Sequence, residues 1–151
     1  MIKFIQAFTV GIFCTMVVDF FLFIGIQLHY LRPYHVDVYY NTLFLQHQNI
    51  FIFTVSSLAI GYLLFYLSNR KLKIALLSLL CFLSLLPLIP TLGEQLGRAL
   101  FFKKNVSLQI NDYTYHGDLY YHDKRKVYLF DTKSKSMLLF KTQKITKMSS
   151  L

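Results

Sequence analysis

Three long apolar runs constrain this chain more than any other feature of its sequence. A helix needs about 20 apolar residues to cross the hydrocarbon layer of a membrane. Residues 4–27 contain a single charged side chain, Asp19, and residues 50–68 and 74–91 contain none. Because unpaired backbone groups are costly in lipid, each run is predicted to form a transmembrane helix. The first run is longer than the apolar core of a signal peptide and is therefore predicted to be a retained anchor.

The third run contains Pro87 and Pro90, and proline disturbs a helix because it lacks a backbone donor. Beyond the prolines, Glu94 and Arg98 are spaced to pair on one helix face. We expect a helical extension to residue 102, emerging from the membrane after a bend at the prolines. Two alternatives are a short amphipathic helix in the membrane interface and a re-entrant third segment.

The composition changes at Lys103, where the apolar runs end. From there onward the chain has ten Lys or Arg and four Asp. This part therefore carries about +6 of the formal net charge of +9 of all 151 residues. Apolar and polar residues now alternate, as in half-buried strands. The sequence therefore predicts an α+β membrane protein, with a transmembrane helical domain over residues 1–102 and a small basic β-rich domain over residues 103–151.

The β-rich domain is predicted to be a small antiparallel β-sheet or an SH3-like barrel. Asn111 and Asp112 suit a tight turn between two strands, and residues 122–126 and 132–135 form polar breaks. A domain of this size is marginally stable by itself. We therefore expect it to lean on the membrane, on a partner or on another copy of the chain.

Basic residues near the spans predict the orientation, since cytoplasmic loops are enriched in Lys and Arg. Residues 70–73 contain three basic side chains, whereas the loop 28–49 contains only Arg32. This contrast places the N-terminus inside and the β-rich domain outside a multi-pass protein of the cell inner (plasma) membrane. Lys103 and Lys104 argue for the opposite side, because they directly follow the last span.

Asp19 is the most informative residue of the helical part. A carboxyl group in hydrocarbon is costly, so its side chain is expected to face other helices or water. One interpretation is a protonated carboxyl group bonded to hydroxyls such as those of Ser56, Ser57 and Ser84. The alternatives are a contact with a partner subunit and ion coupling.

Small residues at a spacing of four allow transmembrane helices to approach closely. Ala7 and Gly11 have this spacing in the first run, and Ser57 and Gly61 have it in the second. These four residues are candidates for helix docking, together with Asp19.

A second group of candidates is predicted to contact partners or lipid headgroups at the surface. Tyrosines prefer the membrane–water boundary, and lysines attract anionic headgroups. The aromatic outer loop either lies on the membrane surface or docks a partner. The candidates for surface contact are Tyr39, Tyr40, Glu94, Arg98, Lys103 and Lys104.

No catalytic triad, phosphate-binding glycine loop or Cys-Cys metal spacing occurs in the sequence. His29, His35, Asp37 and His47 are too scattered to predict a metal site. We therefore expect no enzyme activity, no cofactor, no metal and no nucleic-acid partner.

Three functional hypotheses follow from this architecture. The first is an accessory or structural subunit of a larger bacterial inner-membrane complex. The second is a small homo-oligomeric transporter or channel that uses Asp19. The third is a membrane-anchored sensor with a ligand-binding β-domain.

Overall fold

The computed structural model describes residues 2–110, 113–132 and 134–150. The helical part precedes a five-stranded sheet, and the change from helix to strand occurs at Lys103. The predicted turn at Asn111 and Asp112 lies outside the described residues. The helices are α1 (Ile2–Ile26, continued by a π-helical turn Gln27–Leu31), α2 (Tyr40–His47), α3 (Ile50–Tyr66), α4 (Arg70–Leu85, continued by a 3-10 turn Leu86–Leu88) and α5 (Pro90–Phe101). The strands are β1 (Lys103–Ile110), β2 (Tyr113–His122), β3 (Lys126–Asp131), β4 (Ser136–Lys141) and β5 (Ile145–Ser150).

Two of the described helices are long and apolar enough to cross a membrane, namely Ile2–Leu31 and Arg70–Leu88. A third span is present if α2 and α3, which meet at an angle of 85°, are counted as one broken span. The prediction of an apolar helical part with about three spans is confirmed to this extent. The helix α2 was not predicted, and it forms the corner between the loop after α1 and the start of α3.

Helix α1 lies at the centre of the helical part and packs against α3 and α4, which barely touch each other. A Cβ added to Gly11 would overlap the carbonyl group of Ser57, and one added to Gly61 would overlap that of Ala7. The two helices are therefore antiparallel and in backbone contact. Helix α4 runs parallel to α1, because Pro87 at its far end meets Gly25 near the end of α1.

The two prolines interrupt the helix completely rather than bending it. Ile89 has an extended backbone, with φ −73° and ψ 125°, and Pro90 is the first residue of α5. Helix α5 then packs through Gly93 and Gly97 against the end of α1. The expected helical extension is thus a separate helix, Pro90–Phe101, across the end of α1.

The five strands form one antiparallel sheet in the order β4-β3-β2-β1-β5. The sheet is open, with β4 and β5 at its two edges, so the sheet rather than the closed barrel is observed. Gly117 lies in the middle of β2, where a Cβ would overlap the carbonyl group of Phe130 on β3. One face of the sheet carries its own apolar core, formed by Val106, Leu108, Leu119, Val127 and Leu129.

The opposite face of the sheet shares a second core with the helices. Tyr121 and Tyr128 from the sheet are buried there with Tyr30, Leu43 and Phe101 from the helical part. The sheet therefore leans on the helices of its own chain, a support that we did not anticipate. The sheet lies at the same end of α1 as the loop that carries α2. The turn that precedes α4 lies at the other end of α1.

Candidate functional site

The side chain of Asp19 meets the corner between α2 and α3. The amide Nε2 of Gln48 donates a hydrogen bond of 2.7 Å to Oδ2 of Asp19. Gln48 ends α2 with an extended backbone, and Asn49 caps α3 by accepting the N–H groups of Phe51 and Ile52. The polar partner of Asp19 is therefore an amide of the loop.

The serines that we considered as partners of Asp19 bond within their own helices. The Ser57 hydroxyl donates to the carbonyl of Phe53, and the Ser84 hydroxyl donates to that of Cys81. Ser56 lines the same cavity as Asp19. Ser57 and Ser84 therefore do not form the hydroxyl network expected around Asp19, because their hydroxyl groups bond within α3 and α4.

A cavity of about 370 Å³ opens beside Asp19. It is bounded by α1, the corner after α2, the first turns of α3, and Leu100 of α5. A carboxylate, an amide and an imidazole that face one cavity can bind a cation or a hydrogen-bond donor. The polar residues of the lining are Thr15, Asp19, His47, Gln48, Asn49 and Ser56.

The helix that carries Asp19 is longer than a membrane span requires. About 20 residues at 1.5 Å each cross the hydrocarbon layer. The 30 residues of Ile2–Leu31 exceed that length, so the end of α1 extends beyond the layer. Asp19 and its cavity therefore lie on a helix that is long and apolar enough to span a membrane.

The small residues proposed for helix docking lie together, but inside the chain. Ala7, Gly11, Ser57 and Gly61 are all buried where α1 crosses α3. Their packing joins two helices of the same molecule, so this surface is not available to a partner.

The candidates for surface contact occupy different environments. Tyr39 is 81% exposed, whereas the ring of Tyr40 packs edge-on against Phe20 with 5.4 Å between ring centroids. Lys103 and Lys104 are exposed at the start of β1. Tyr39 and the two lysines can therefore meet a partner or headgroups, and Tyr40 anchors α2 on α1.

Glu94 and Arg98 form the expected ion pair, with 3.0 Å between Oε1 and the guanidinium group. The Tyr34 hydroxyl bridges them, since it donates to Glu94 at 3.1 Å and accepts from Arg98 at 2.6 Å. The hydrogen bond with Tyr34 raises the pKa of Arg98. This cluster ties α5 to the loop after α1.

Hydrogen bonds between side chain and backbone fix the sheet to the helical part. The Tyr30 hydroxyl donates to the carbonyl of Tyr120 at 2.9 Å, and the Tyr128 hydroxyl donates to that of Asp37 at 3.0 Å. Sequence reasoning missed both contacts, because each joins residues about 90 positions apart. The aromatic content of the loop was the only signal available.

Two further observations bear on the chemistry of the site. Within residues 2–110, 113–132 and 134–150, no three His, Cys, Asp or Glu side chains converge as metal ligands. His47 Nε2 lies 3.3 Å from the Tyr121 hydroxyl, which places this imidazole at the junction with the sheet. Comparisons of the chain with models of protein families, with curated proteins and with solved structures give no match.

Proposed function

We propose that this protein is an accessory subunit of a larger inner-membrane complex of bacterial type. Its helices dock against a partner, and its β-domain contacts partners or lipid headgroups. The observation that carries the proposal is the small buried share of the spans, 22% of the most apolar window in Ile2–Leu31 and 11% of that in Arg70–Leu88. A bundle this open leaves room for helices from another subunit.

The surface best suited to a partner helix is a groove between α1 and α4. It encloses about 230 Å³ and is almost entirely apolar. Cys14, Cys81 and Ser84 line it with small side chains. Small residues favour close approach of helices in lipid, where van der Waals packing drives association.

The extracytoplasmic placement of the β-domain is part of the proposal. The basic residues Arg70, Lys71 and Lys73 lie at the end of α1 opposite the sheet. The positive-inside rule assigns that end to the cytoplasm. The loop with Tyr39 and the whole sheet then face the other side, where Lys103 and Lys104 are available for contacts.

Affinity purification of the tagged full-length protein from native membranes in mild detergent tests the proposal. We expect a larger protein to co-purify in fixed stoichiometry. Cys81→Phe fills the groove and is expected to reduce that recovery at least tenfold. Ala75→Phe, which adds similar bulk at an exposed position of the same helix outside the groove lining, is the matched control. Recovery of a homogeneous homo-oligomer without a partner would exclude the accessory-subunit function.

A homo-oligomeric transporter or channel is the second candidate, and the polar cavity beside Asp19 favours it. A proton- or cation-coupled pathway requires an ionisable group facing such a cavity. In reconstituted vesicles, Asp19→Asn is then expected to abolish transport while the oligomer still assembles. Unchanged transport in this variant would contradict the role of Asp19.

A further inference from the structure

Three cationic side chains surround an open groove at the β4 edge of the sheet. Arg125 lies in the turn before β3, Lys126 begins β3, and Lys141 ends β4. The groove encloses about 420 Å³. The rest of its lining is Leu139, Phe140 and Gln143.

Two of these cations stand directly opposite each other. Lys126 and Lys141 are register partners in the antiparallel pair of β3 and β4. Like charges in directly opposed positions destabilise a sheet. An anion bound between the two ammonium groups would remove this repulsion and replace it with charge-assisted hydrogen bonds.

Asp37 and Asp123 line a neighbouring hollow with Arg125 and Lys126, but no ion pair joins either carboxylate to these cations among the described residues. The ion pair recorded there joins Arg98 to Glu94, far from the groove. Asp123 is the acidic residue closest in sequence, and its Oδ1 accepts the backbone N–H groups of Arg125 and Lys126, both at 2.6 Å. Asp123 is also buried, so its carboxylate stabilises the turn rather than the side chains of the groove.

The groove lies on the face of the sheet that is turned toward the helices. Lys126 and Tyr128 point to the same face of β3, because side chains alternate along a strand. Their partners on β4 are Lys141 and Leu139. Tyr128 is buried against the helical part, whereas Leu139 remains 54% exposed. The cationic groove thus continues the helix-facing surface beyond the part that the helices cover.

The loop before α2 indicates where the groove lies relative to the bilayer. Arg125 and Lys126 also border a second hollow, to which Asp123 contributes and which Asp37, Tyr39 and Thr42 line from the other side. Tyr40 packs against Phe20 of α1, a helix long and apolar enough to cross a membrane. With α1 crossing the membrane as in the proposed function, Tyr39 and the groove beside it lie toward the headgroups at the end of α1 that meets the sheet.

We propose that this groove binds the phosphate group of an anionic phospholipid from the adjoining leaflet. Arg125, Lys126 and Lys141 donate to the phosphate oxygens, and the exposed side chain of Leu139 contacts the apolar part of the same lipid. A lipid fits better than a soluble phosphate, because the groove combines cations with apolar side chains at the membrane surface. The proposal rests on the membrane location in the proposed function, but not on the existence of a partner subunit.

Thermal unfolding of the full-length protein in a mild non-ionic detergent tests this site. Dioctanoyl phosphatidylglycerol is the probe, and dioctanoyl phosphatidylcholine and inorganic phosphate are the comparisons. A ligand that binds only the folded state raises Tm, by about 5 °C near saturation for a chain of this length. We expect this shift with phosphatidylglycerol alone.

The variant Lys126→Gln with Lys141→Gln is expected to lose the shift. Without lipid, it is expected to be at least as stable as the wild type, because the repulsion between the lysines has been removed. A variant that was merely misfolded would instead unfold at a lower temperature. Lys147→Gln, which removes a charge from the opposite edge strand β5, should retain the full shift.

Three results would overturn the proposal. Equal stabilisation by phosphatidylcholine would show that the anionic headgroup is not recognised. The same shift with inorganic phosphate would assign the groove to a soluble anion, and a normal shift in the double variant would place the lipid elsewhere. Co-purification of a partner by the double variant tests the accessory-subunit proposal separately, because the groove between α1 and α4 is unchanged.

Discussion

The hydroxyl of Tyr121 lies in the core that the helices and the sheet share. Burial raises the pKa of this hydroxyl above its ordinary value, and the carboxylate of Asp123 raises it further. The folded protein therefore retains a proton that the unfolded chain loses when the pH rises above about 10. This contribution to stability is complete below that pH and decreases above it.

We expect the free energy of unfolding to fall as the pH is raised above about 10. Chemical denaturation over an alkaline pH series, followed by circular dichroism, measures the slope. Tyr121→Phe is expected to flatten it, whereas Tyr113→Phe, at an exposed position of the same strand, should leave it unchanged. Equal slopes in the two variants would show that Tyr121 is not responsible.

The hydrogen bond between Gln48 and Asp19 holds the corner of α2 and α3 on α1. Asp19→Asn retains an acceptor oxygen, so we expect its stability in detergent to stay within about 0.5 kcal/mol of the wild type. Asp19→Leu removes the acceptor and is expected to cost about 1 kcal/mol. Denaturant titration of the purified proteins measures both changes. An equal loss in the two variants would mean that the charge, rather than the hydrogen bond, stabilises the corner.

At the scale of the elements, the crossing of α1 and α3 is the closest contact in the helical part. Gly61→Leu places a side chain against the backbone of Ala7, so the helices must separate, at a cost of about 1–3 kcal/mol. Ala59→Leu, two positions away on an exposed face of α3, should be nearly neutral. Thermal unfolding in detergent compares the two variants. Similar melting temperatures would contradict the observed packing of these helices.

The helices and strands themselves could largely be predicted from the sequence, because they depend on local patterns. The apolar run from residue 4 and the alternation after Lys103 each specify an element. Helix α2 was missed because an eight-residue helix carries little periodicity of its own. The break at Ile89 was underestimated, because two prolines separated by two residues interrupt successive turns.

The candidate site was harder to predict, because its contacts are long-range. Asp19 could be selected as an unusual residue in an apolar run, but its partner Gln48 lies 29 positions further on, in a loop. The small residues could be recognised by their spacing. The spacing does not reveal whether Gly11 and Gly61 face a helix of the same chain or one of another subunit.

At the scale of the whole molecule, the sheet and the helices depend on each other. The isolated fragment 103–151 would expose Tyr121 and Tyr128, which are buried in the full chain. We expect this fragment to be largely unfolded, since so small a sheet has little apolar core of its own. Dispersion of its amide NMR signals measures the folded content. A well-dispersed spectrum would show that the sheet folds independently.

The full-length protein is correspondingly expected to unfold its sheet together with the end of α1 that meets the sheet. Limited proteolysis after Tyr128→Ala, which removes a large side chain from the shared core, should increase cleavage both in the sheet and near Asp37. Cleavage confined to the sheet would indicate two independent units.

The shared core also determines when folding of this protein can be completed during its synthesis. Tyr30 and Leu43 are synthesised well before Tyr121 and Tyr128, with which they share a core. Tyr30 and its neighbours at the end of α1 therefore remain uncovered until β2 and β3 have been synthesised and have reached the same side. A ribosome that stops before these strands leaves an inserted but unfinished protein with exposed aromatic surface, the kind of surface by which chaperones and proteases recognise incomplete chains.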